Sequence, residues 1–506
     1  MGSAATNLST VSTKITSINP ATGEPLGEVP DQTPAEVRAA VDAARIAQAE
    51  WAKVPIELRC KRVRRFAEVL MARADEVIEL LSREGGKTRQ EALGMEVIVV
   101  ADLVRYFAKH APAMLAPEPV PLHLMKHRAS YLHFVPRGVV GIIAPWNFPF
   151  SIPIGEVVMS LIAGNGVVLK PSEVTPLIAL KARELYLAAD LPPELFQVVT
   201  GRGATGAALI DSGIDYCVFT GSVATGKKVA AACGERLIPC TLELGGKAPA
   251  VVCADADLDR TAQAITWGGF ANSGQVCASV ERVYAVDAVH DALVAKIVEL
   301  ARSLRQGDAA QEVDVGAMAW DRQVETVERL VDAAVAAGAR VEAGGSRGPG
   351  PGLFFQPTVL TNCTQDMDVM RKEIFGPVIP IMRVADDDEA VRLANDSHLG
   401  LLAYVFTKDR EHGKRVAERI AAGTVMVNDV LSTYACPETP WGGVKQSGIG
   451  RTHSIHGLRD LCETRHVNHD RVSLAREVWW YPYKQGTFRG LLRAAKLLFG
   501  KRPWQR

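Results

Sequence analysis

What this sequence lacks narrows it first. Lys+Arg and Asp+Glu number 57 each in 506 residues, so no net charge draws the chain to nucleic acid. No apolar run approaches the ~20 residues of a membrane-spanning helix. The first 14 residues contain no apolar core of the kind that marks a secretory signal. They do meet the loose myristoylation pattern, with Gly2 followed by Thr6. The nine cysteines are dispersed and odd in number, with no CxxC pair and no Cys/His cluster at zinc-ligand spacing. Free thiols in a reducing, cytoplasmic compartment are therefore expected, most of them buried as small hydrophobes, and no metal site.

What is present is an ordinary globular composition, 48% hydrophobic and 23% charged, over a length that suits two or three domains. Ala35–Val54 and Lys61–Ser82 carry helical spacing. Tyr131–Phe134 and Gly138–Ile143 read as strand. Short β-branched runs (Gly166–Leu169, Phe196–Thr200, Tyr216–Thr220) then alternate with helical runs (Leu177–Ala189, Ala207–Ile210, Gly226–Cys233). That rhythm predicts a doubly wound α/β domain. It resumes after Cys277 with helices over Asp287–Gln306 and Arg322–Ala337 and a strand at Thr358–Leu360, so a second α/β unit begins near Gly245. Gly344–Gly352 is a surface loop.

Three glycine-rich segments are suited to close approach by a ligand. Gly201-Arg-Gly203-Ala-Thr-Gly206 fits GxGxxG, but no acidic residue follows at the dinucleotide spacing, so a tight turn and a pyrophosphate site are equally open readings. Gly221-Ser-Val-Ala-Thr-Gly226-Lys227 narrowly misses a P-loop, because Lys228 stands where magnesium needs Ser or Thr. A strand, a glycine turn and a helix start remain, and free N–H groups there suit a pyrophosphate. The third is Glu243-Leu244-Gly245-Gly246-Lys247.

Further motifs surround these. Pro145-Trp146-Asn147-Phe148-Pro149 precedes them, with Lys170-Pro171-Ser172-Glu173 next. Asn272-Ser-Gly-Gln-Val-Cys277 lies 34 residues after Glu243, followed by Glu373-Ile-Phe375-Gly-Pro377 and Pro440-Trp-Gly-Gly-Val-Lys-Gln-Ser-Gly448. In this order and spacing, from about Asn19 to about Val467, the chain resembles the aldehyde dehydrogenase superfamily. The resemblance implies an α/β fold with a Rossmann-like cofactor domain (1–125 and 143–244) and an α/β catalytic domain (245–446). It also implies a small β arm for oligomerisation as a homodimer or tetramer (126–142 and 452–475).

By the same resemblance, Cys277 is the nucleophile that attacks an aldehyde, since a thiolate adds to carbonyl carbon where a thiol does so poorly. Asn147 matches an oxyanion donor, a role typically worth about 3 kcal/mol of barrier. Glu243 matches the base that activates water against the thioester. Lys170, Ser172 and Glu173 match contacts to the adenosine ribose, where a carboxylate favours NAD over NADP, although Lys170 tolerates a phosphate. Gly221, Ser222 and Thr225 match the pyrophosphate turn, and Gly203 the adenine wall. Leu244, Glu373, Phe375 and the Trp146 backbone match the nicotinamide end.

Two departures bear on the substrate. Six residues after Pro149, where many relatives carry Arg or Trp, stands Gly155, followed by Glu156. The glycine is expected to open the access tunnel, and Glu156 adds no cation, which weighs against succinic semialdehyde. Yet Thr424–Arg451 resembles a bacterial branch often labelled succinic semialdehyde dehydrogenase, so that reading stays open. The second departure is the tail, 476–506, with eight Lys/Arg against one acid, Glu477. Phe488, Leu491, Leu492, Ala495, Leu498 and Phe499 share a helical face, with Arg489, Arg493 and Lys496 off it. This pattern suits either peripheral contact with a membrane surface or packing on the body or a partner subunit. A medium- or long-chain or otherwise apolar aldehyde fits the first reading. A CoA-acylating enzyme and an inactive binding relative are the remaining alternatives. Retention of Glu243 argues against the first, and of Cys277, Glu243 and Asn147 together against the second.

Overall fold

A computed structural model describes residues 14–500. The Gly2–Thr6 pattern and the last six residues of the tail lie outside the described residues. Two compact units divide the chain, Met1–Ala116 with Phe134–Glu463 and Pro117–His133 with Thr464–Arg506.

The first unit holds two sheets. The six-stranded sheet runs Gly448–Ile449, Cys240–Glu243, Tyr216–Thr220, Val139–Ile143, Gly166–Lys170, Phe196–Val198, and all but the first strand are parallel. Counting the five parallel strands in chain order, this is 5-4-1-2-3, a Rossmann-like winding whose order reverses between Val139–Ile143 and Tyr216–Thr220. Ligands of such sheets bind outside the carboxyl ends of the strands at that reversal. Trp146 and Asn147 follow one of these two strands, and Gly221 and Ser222 follow the other. Val139–Ile143 pairs inside this sheet, so residues 139–142, expected in the arm, belong with the cofactor-type fold. Buried on both faces, these strands read as continuous apolar runs, as a covered parallel sheet requires.

The seven-stranded sheet runs Arg340–Ala343, Thr358–Thr361, Val378–Val384, Val280–Val286, Ala248–Val252, Leu402–Phe406, Thr424–Val427, with only the first strand antiparallel. The chain passes from one sheet to the other in the four residues between Glu243 and Ala248.

Helix boundaries follow local chemistry. Thr33 and Glu36 form a capping box, Pro34 stands in the first turn, and Val37, Val41 and Ala44 are buried on one face of Pro34–Trp51. The single helix expected over Lys61–Ser82 is two, Ile56–Ala72 and Ala74–Gly85, broken at Arg73 (φ −120°, ψ 24°). Both pieces bury apolar residues at helical spacing, so periodicity carries through the break. Asp75 and Glu76 in the new first turn mark it. Gly86 then closes the second helix at φ +74°.

A three-stranded sheet, most of its residues in the second unit, orders Cys462–Asp470, Arg128–Pro136 and Glu118–Pro119. The helix Gln485–Phe499 buries none of its residues, and Leu497 and Phe499 are 81% and 67% exposed. Among the described residues, no helix is long and apolar enough to cross a membrane.

Candidate active site

The loop Ala144–Phe150 is fixed from below by charge. Lys87 is buried with its Nζ 2.5 Å from Glu96 Oε1, donates to the Asn147 carbonyl at 2.7 Å, and sits over the Phe148 ring. Glu96 Oε2 accepts from the Phe150 and Ser151 amides at 3.0 and 2.7 Å, at the start of the helix Ser151–Ala163. Asn147 Nδ2 donates to the Gln275 carbonyl at 3.0 Å, two residues before Cys277. An amide nitrogen carries two hydrogens, so a second remains to be donated.

The turn before Cys277 is strained. Asn272, Ser273 and Gly274 all lie at positive φ, 51°, 55° and 71°. Glu91 Oε1 takes the Asn272 amide at 2.7 Å, and the Asn272 side chain donates to the Asn147 carbonyl at 3.0 Å. A side chain at Gly274 would strike the backbone carbonyl of Gly376, so glycine is required there twice over.

A third segment is held by Glu281. Its carboxylate pairs with Lys247 Nζ at 2.8 Å, both groups buried, and accepts the amides of Ile374 and Phe375 at 3.0 and 2.8 Å. Phe375 is thereby held at φ +53°, and its ring meets Trp146 edge-on at 5.3 Å. Trp320 meets Trp146 edge-on as well, at 6.2 Å. Glu373 Oε1 accepts the Gly246 amide at 2.8 Å. Burial, with the Glu281 charge second, raises the Glu373 carboxyl above its usual range.

Cys277, Glu243 and Leu244 line one cavity of about 330 Å³. Its walls include Met95, Val99, Phe148, Ile152, Trp267, Leu431, Tyr434 and Trp441, and among the described residues lining it there is no lysine, arginine or histidine. Glu91 and Glu156 are the other acids. Burial pushes the Cys277 thiol up to about 12, with the Glu373 and Glu243 charges adding to the rise. Glu243 is raised well above the carboxylate range by burial and then by Glu156, while Arg451 and the Trp441 side chain pull it back. Neither Glu243 oxygen has a hydrogen-bond partner of normal geometry.

Gly155 does not open this cavity. Ile152 and Glu156, four apart, occupy the helix face that lines it, and a side chain at Gly155 would meet Leu103 Cδ1 at 3.2 Å. The glycine serves helix packing, and the expectation that it widens the tunnel is corrected.

The remaining expected residues sit at the carboxyl edge of the six-stranded sheet. Lys170 Nζ is buried, 3.3 Å from Glu173 Oε2, with Ser172 between them in sequence. Ser222 caps the helix Val223–Glu235, its Oγ accepting the Thr225 amide at 3.3 Å, and Gly221 precedes it. Gly203, exposed, opens the helix Gly203–Asp211. A buried ammonium beside a carboxylate matches paired ribose hydroxyls, and a capped helix start with free N–H groups matches a pyrophosphate. The donor set thus fits a dinucleotide.

The aldehyde dehydrogenase family model matches residues 8–467. The chain belongs to the aldehyde dehydrogenase family. It is similar to a Mycobacterium tuberculosis protein that carries a provisional NADP-dependent succinate-semialdehyde dehydrogenase name, 39% identical over 89% of this chain and 88% of that one. It is also similar to a 4,4'-diapolycopene aldehyde oxidase of Methylomonas, 36% identical over 97% of this chain and 92% of that one. Among solved structures, an NAD-dependent aldehyde dehydrogenase from Sinorhizobium meliloti superposes with a TM-score of 0.89 at 36% identity, covering 93% of each chain. The NAD+ complex of a Bacillus cereus aldehyde dehydrogenase gives 0.87 at 33%, covering 90% of this chain and 93% of that one. The chain is therefore an enzyme that oxidises aldehydes to acids with NAD or NADP.

Residues the sequence reading missed are Lys87, Glu96, Glu91, Lys247 and Glu281, the buried charges that hold the three loops. Both lysines follow a pair of glycines, Gly85-Gly86 and Gly245-Gly246, and that pairing is the available signal. Replacing one member of a buried pair strands the other, at a cost of about 3–5 kcal/mol. Lys247→Met is therefore expected to lower the thermal midpoint sharply and to weaken dinucleotide binding, read by calorimetry and by titration of protein fluorescence. An unchanged midpoint would contradict the role given to the pair.

Proposed function

We propose that the reaction runs through a thioester on Cys277 and that the natural substrate is an apolar aldehyde. The observation that carries the substrate reading is the cavity beside Cys277, walled by aliphatic and aromatic side chains and lined by acids without a cation. An ω-carboxylate would be desolvated there with nothing to pair it.

In this reading the Cys277 sulfur bonds to the aldehyde carbon while its proton passes to a carboxylate of the cavity. The carbonyl oxygen takes the negative charge, opposite the second hydrogen of Asn147 Nδ2 and the Cys277 amide. Bound NAD or NADP supplies the hydride acceptor that leaves a thioester on Cys277. Glu243 then takes a proton from water, the water oxygen bonds to the thioester carbon, and the C–S bond breaks to return the thiolate and release the acid. A raised proton affinity suits Glu243 to that step.

Lys170, Ser172 and Glu173 would hold the adenosine ribose, where Glu173 repels a 2′-phosphate and favours NAD. Gly221, Ser222 and Thr225 would hold the pyrophosphate, Gly203 the adenine, Glu373 the second ribose, and Trp146, Leu244 and Phe375 the nicotinamide end. The cofactor domain (1–125 and 143–244), catalytic domain (245–446), and arm (126–142 and 452–475) remain our division of labour, with residues 139–142 moved to the first. We also assign assembly as a homodimer or tetramer through the arm, in the cytoplasm.

The tail extends the substrate reading. Its helix leaves Phe488, Leu491, Leu498 and Phe499 exposed beside Arg489, Arg493 and Lys496, and Trp479 and Trp480 precede it. Apolar residues flanked by cations suit an anionic lipid surface, from which a lipophilic aldehyde would be drawn. The Methylomonas relative, named for such an aldehyde, matches 97% of the chain, a span too long to end before the tail.

Two experiments test these points. Initial rates of NADH formation across hexanal, dodecanal, benzaldehyde and succinic semialdehyde are expected to favour the apolar aldehydes. Preference for succinic semialdehyde would refute the cavity argument. In vesicle flotation with phosphatidylglycerol-containing liposomes, the full chain should co-float, and a chain ending at Val478 should not. Equal recovery of the two would remove the membrane role.

A further inference from the structure

Glu156 is a buried acid in the same cavity as Glu243 and Cys277. One short piece of backbone pairing ties the two carboxyl groups together. Trp441 and Thr452 form an isolated antiparallel bridge, each amide donating to the other's carbonyl at 2.9 Å. The Thr452 hydroxyl donates to Glu156 Oε1. On the other side of the bridge, a side chain at Gly442 would come within 3.0 Å of Glu243 Oε1. The bridge therefore holds one carboxylate through Thr452, and Gly442, next to Trp441, leaves room for the other.

We propose that Glu156 is a positioning residue for hydrolysis, a second buried carboxylate of the same cavity whose charge keeps Glu243 a strong base toward water. This rests on Glu243 being the base. Two buried carboxylates facing one cavity cannot both ionise freely, because each charge opposes the other. Their protons leave in two steps that belong to the pair. Consistent with this, burial pushes the Glu156 carboxyl up to about 7, the Thr452 hydroxyl draws it down, and Asp460 adds to the rise. The Glu156 charge is in turn the second cause of the rise at Glu243.

The surrounding groups leave the pair without a full counter-charge. Tyr434 and Asp460 face Glu156, and Arg451 and Trp441 act on Glu243. Tyr216, on the neighbouring strand, is raised in part by Glu156. His453, next to Thr452, is held neutral by burial, which lowers it to about 4. Lys87 and Glu96, at the start of the Glu156 helix, neutralise one another.

The sign follows. As pH rises the first proton lost from the pair leaves one negative charge, which holds the second proton to higher pH. Hydrolysis needs Glu243 ionised, so its rate climbs with that second loss. Without the Glu156 charge, Glu243 ionises at lower pH and is a weaker base.

The test uses p-nitrophenyl acetate, which acylates a cysteine and releases nitrophenolate as a burst, followed by a steady rate set by thioester hydrolysis. The full chain is compared with Glu156→Gln, Thr452→Val and Glu243→Gln across neutral to alkaline pH. Burst amplitude reports that each variant has a folded, acylatable site. Glu156→Gln is expected to move the acid limb of the steady rate to lower pH and to lower its plateau severalfold. Thr452→Val should move it the same way by less, since Glu156 then holds its proton longer. Glu243→Gln should burst and stop. If Glu243→Gln turns over like the native chain, the base assignment itself fails. If it stops but the Glu156→Gln limb stays in place, the role of Glu156 is refuted and the base assignment survives.

Discussion

Lys247 and Glu281 lie buried 2.8 Å apart, and three segments of chain hang on that contact. Lys247 belongs to the four-residue passage between the two sheets, Glu281 to the strand that follows Cys277, and the Glu281 carboxylate grips the amides of Ile374 and Phe375. A buried ion pair contributes little net stability, because desolvation offsets the attraction. Its geometry is another matter, since a stranded charge is so unfavourable that the pair tolerates few arrangements. Here the one arrangement sets Glu373 against Gly246 and Phe375 against Trp146. The carboxyl edge of one sheet and the amino edge of the other thus meet where Glu243 and Cys277 face a common cavity.

That cavity is acidic, apolar and shielded, a combination that decides its chemistry. Burial raises Glu243, Glu156 and the Cys277 thiol together, so protons are held rather than released. A thiol held near 12 is inert until a base and an electrophile are both at hand. Burial keeps these acids protonated, and with no cation among the described residues lining the cavity a second anion on the substrate finds no partner there. In the proposed reaction, basicity at Glu243 and preference for apolar aldehydes are two results of one environment.

Much of this was legible in the sequence, for physical reasons. A parallel sheet places its ligands at strand ends, so the motifs after Ile143, Lys170, Thr220 and Glu243 fall along one edge once the α/β rhythm is recognised. The buried ion pairs were not legible, because a charged residue in a sequence defaults to the surface. Gly155 was misread because a count along the chain ignores helix phase, which puts Ile152 and Glu156 toward the cavity and Gly155 toward Leu103. The break at Arg73 was hidden because both helices keep the same periodicity across it. The amphipathic pattern of the tail was plain in the sequence, and the helix Gln485–Phe499 carries it with every residue at the surface of its unit.

The proposed reaction requires a covalent intermediate at one of nine cysteines, Cys277. Mass spectrometry of the intact Glu243→Gln chain, after mixing with NAD and dodecanal, addresses it directly. One equivalent of NADH and one stable dodecanoyl adduct, mapped to the peptide containing Cys277, are expected. NADH formation with no adduct, or an adduct at another cysteine, would contradict it.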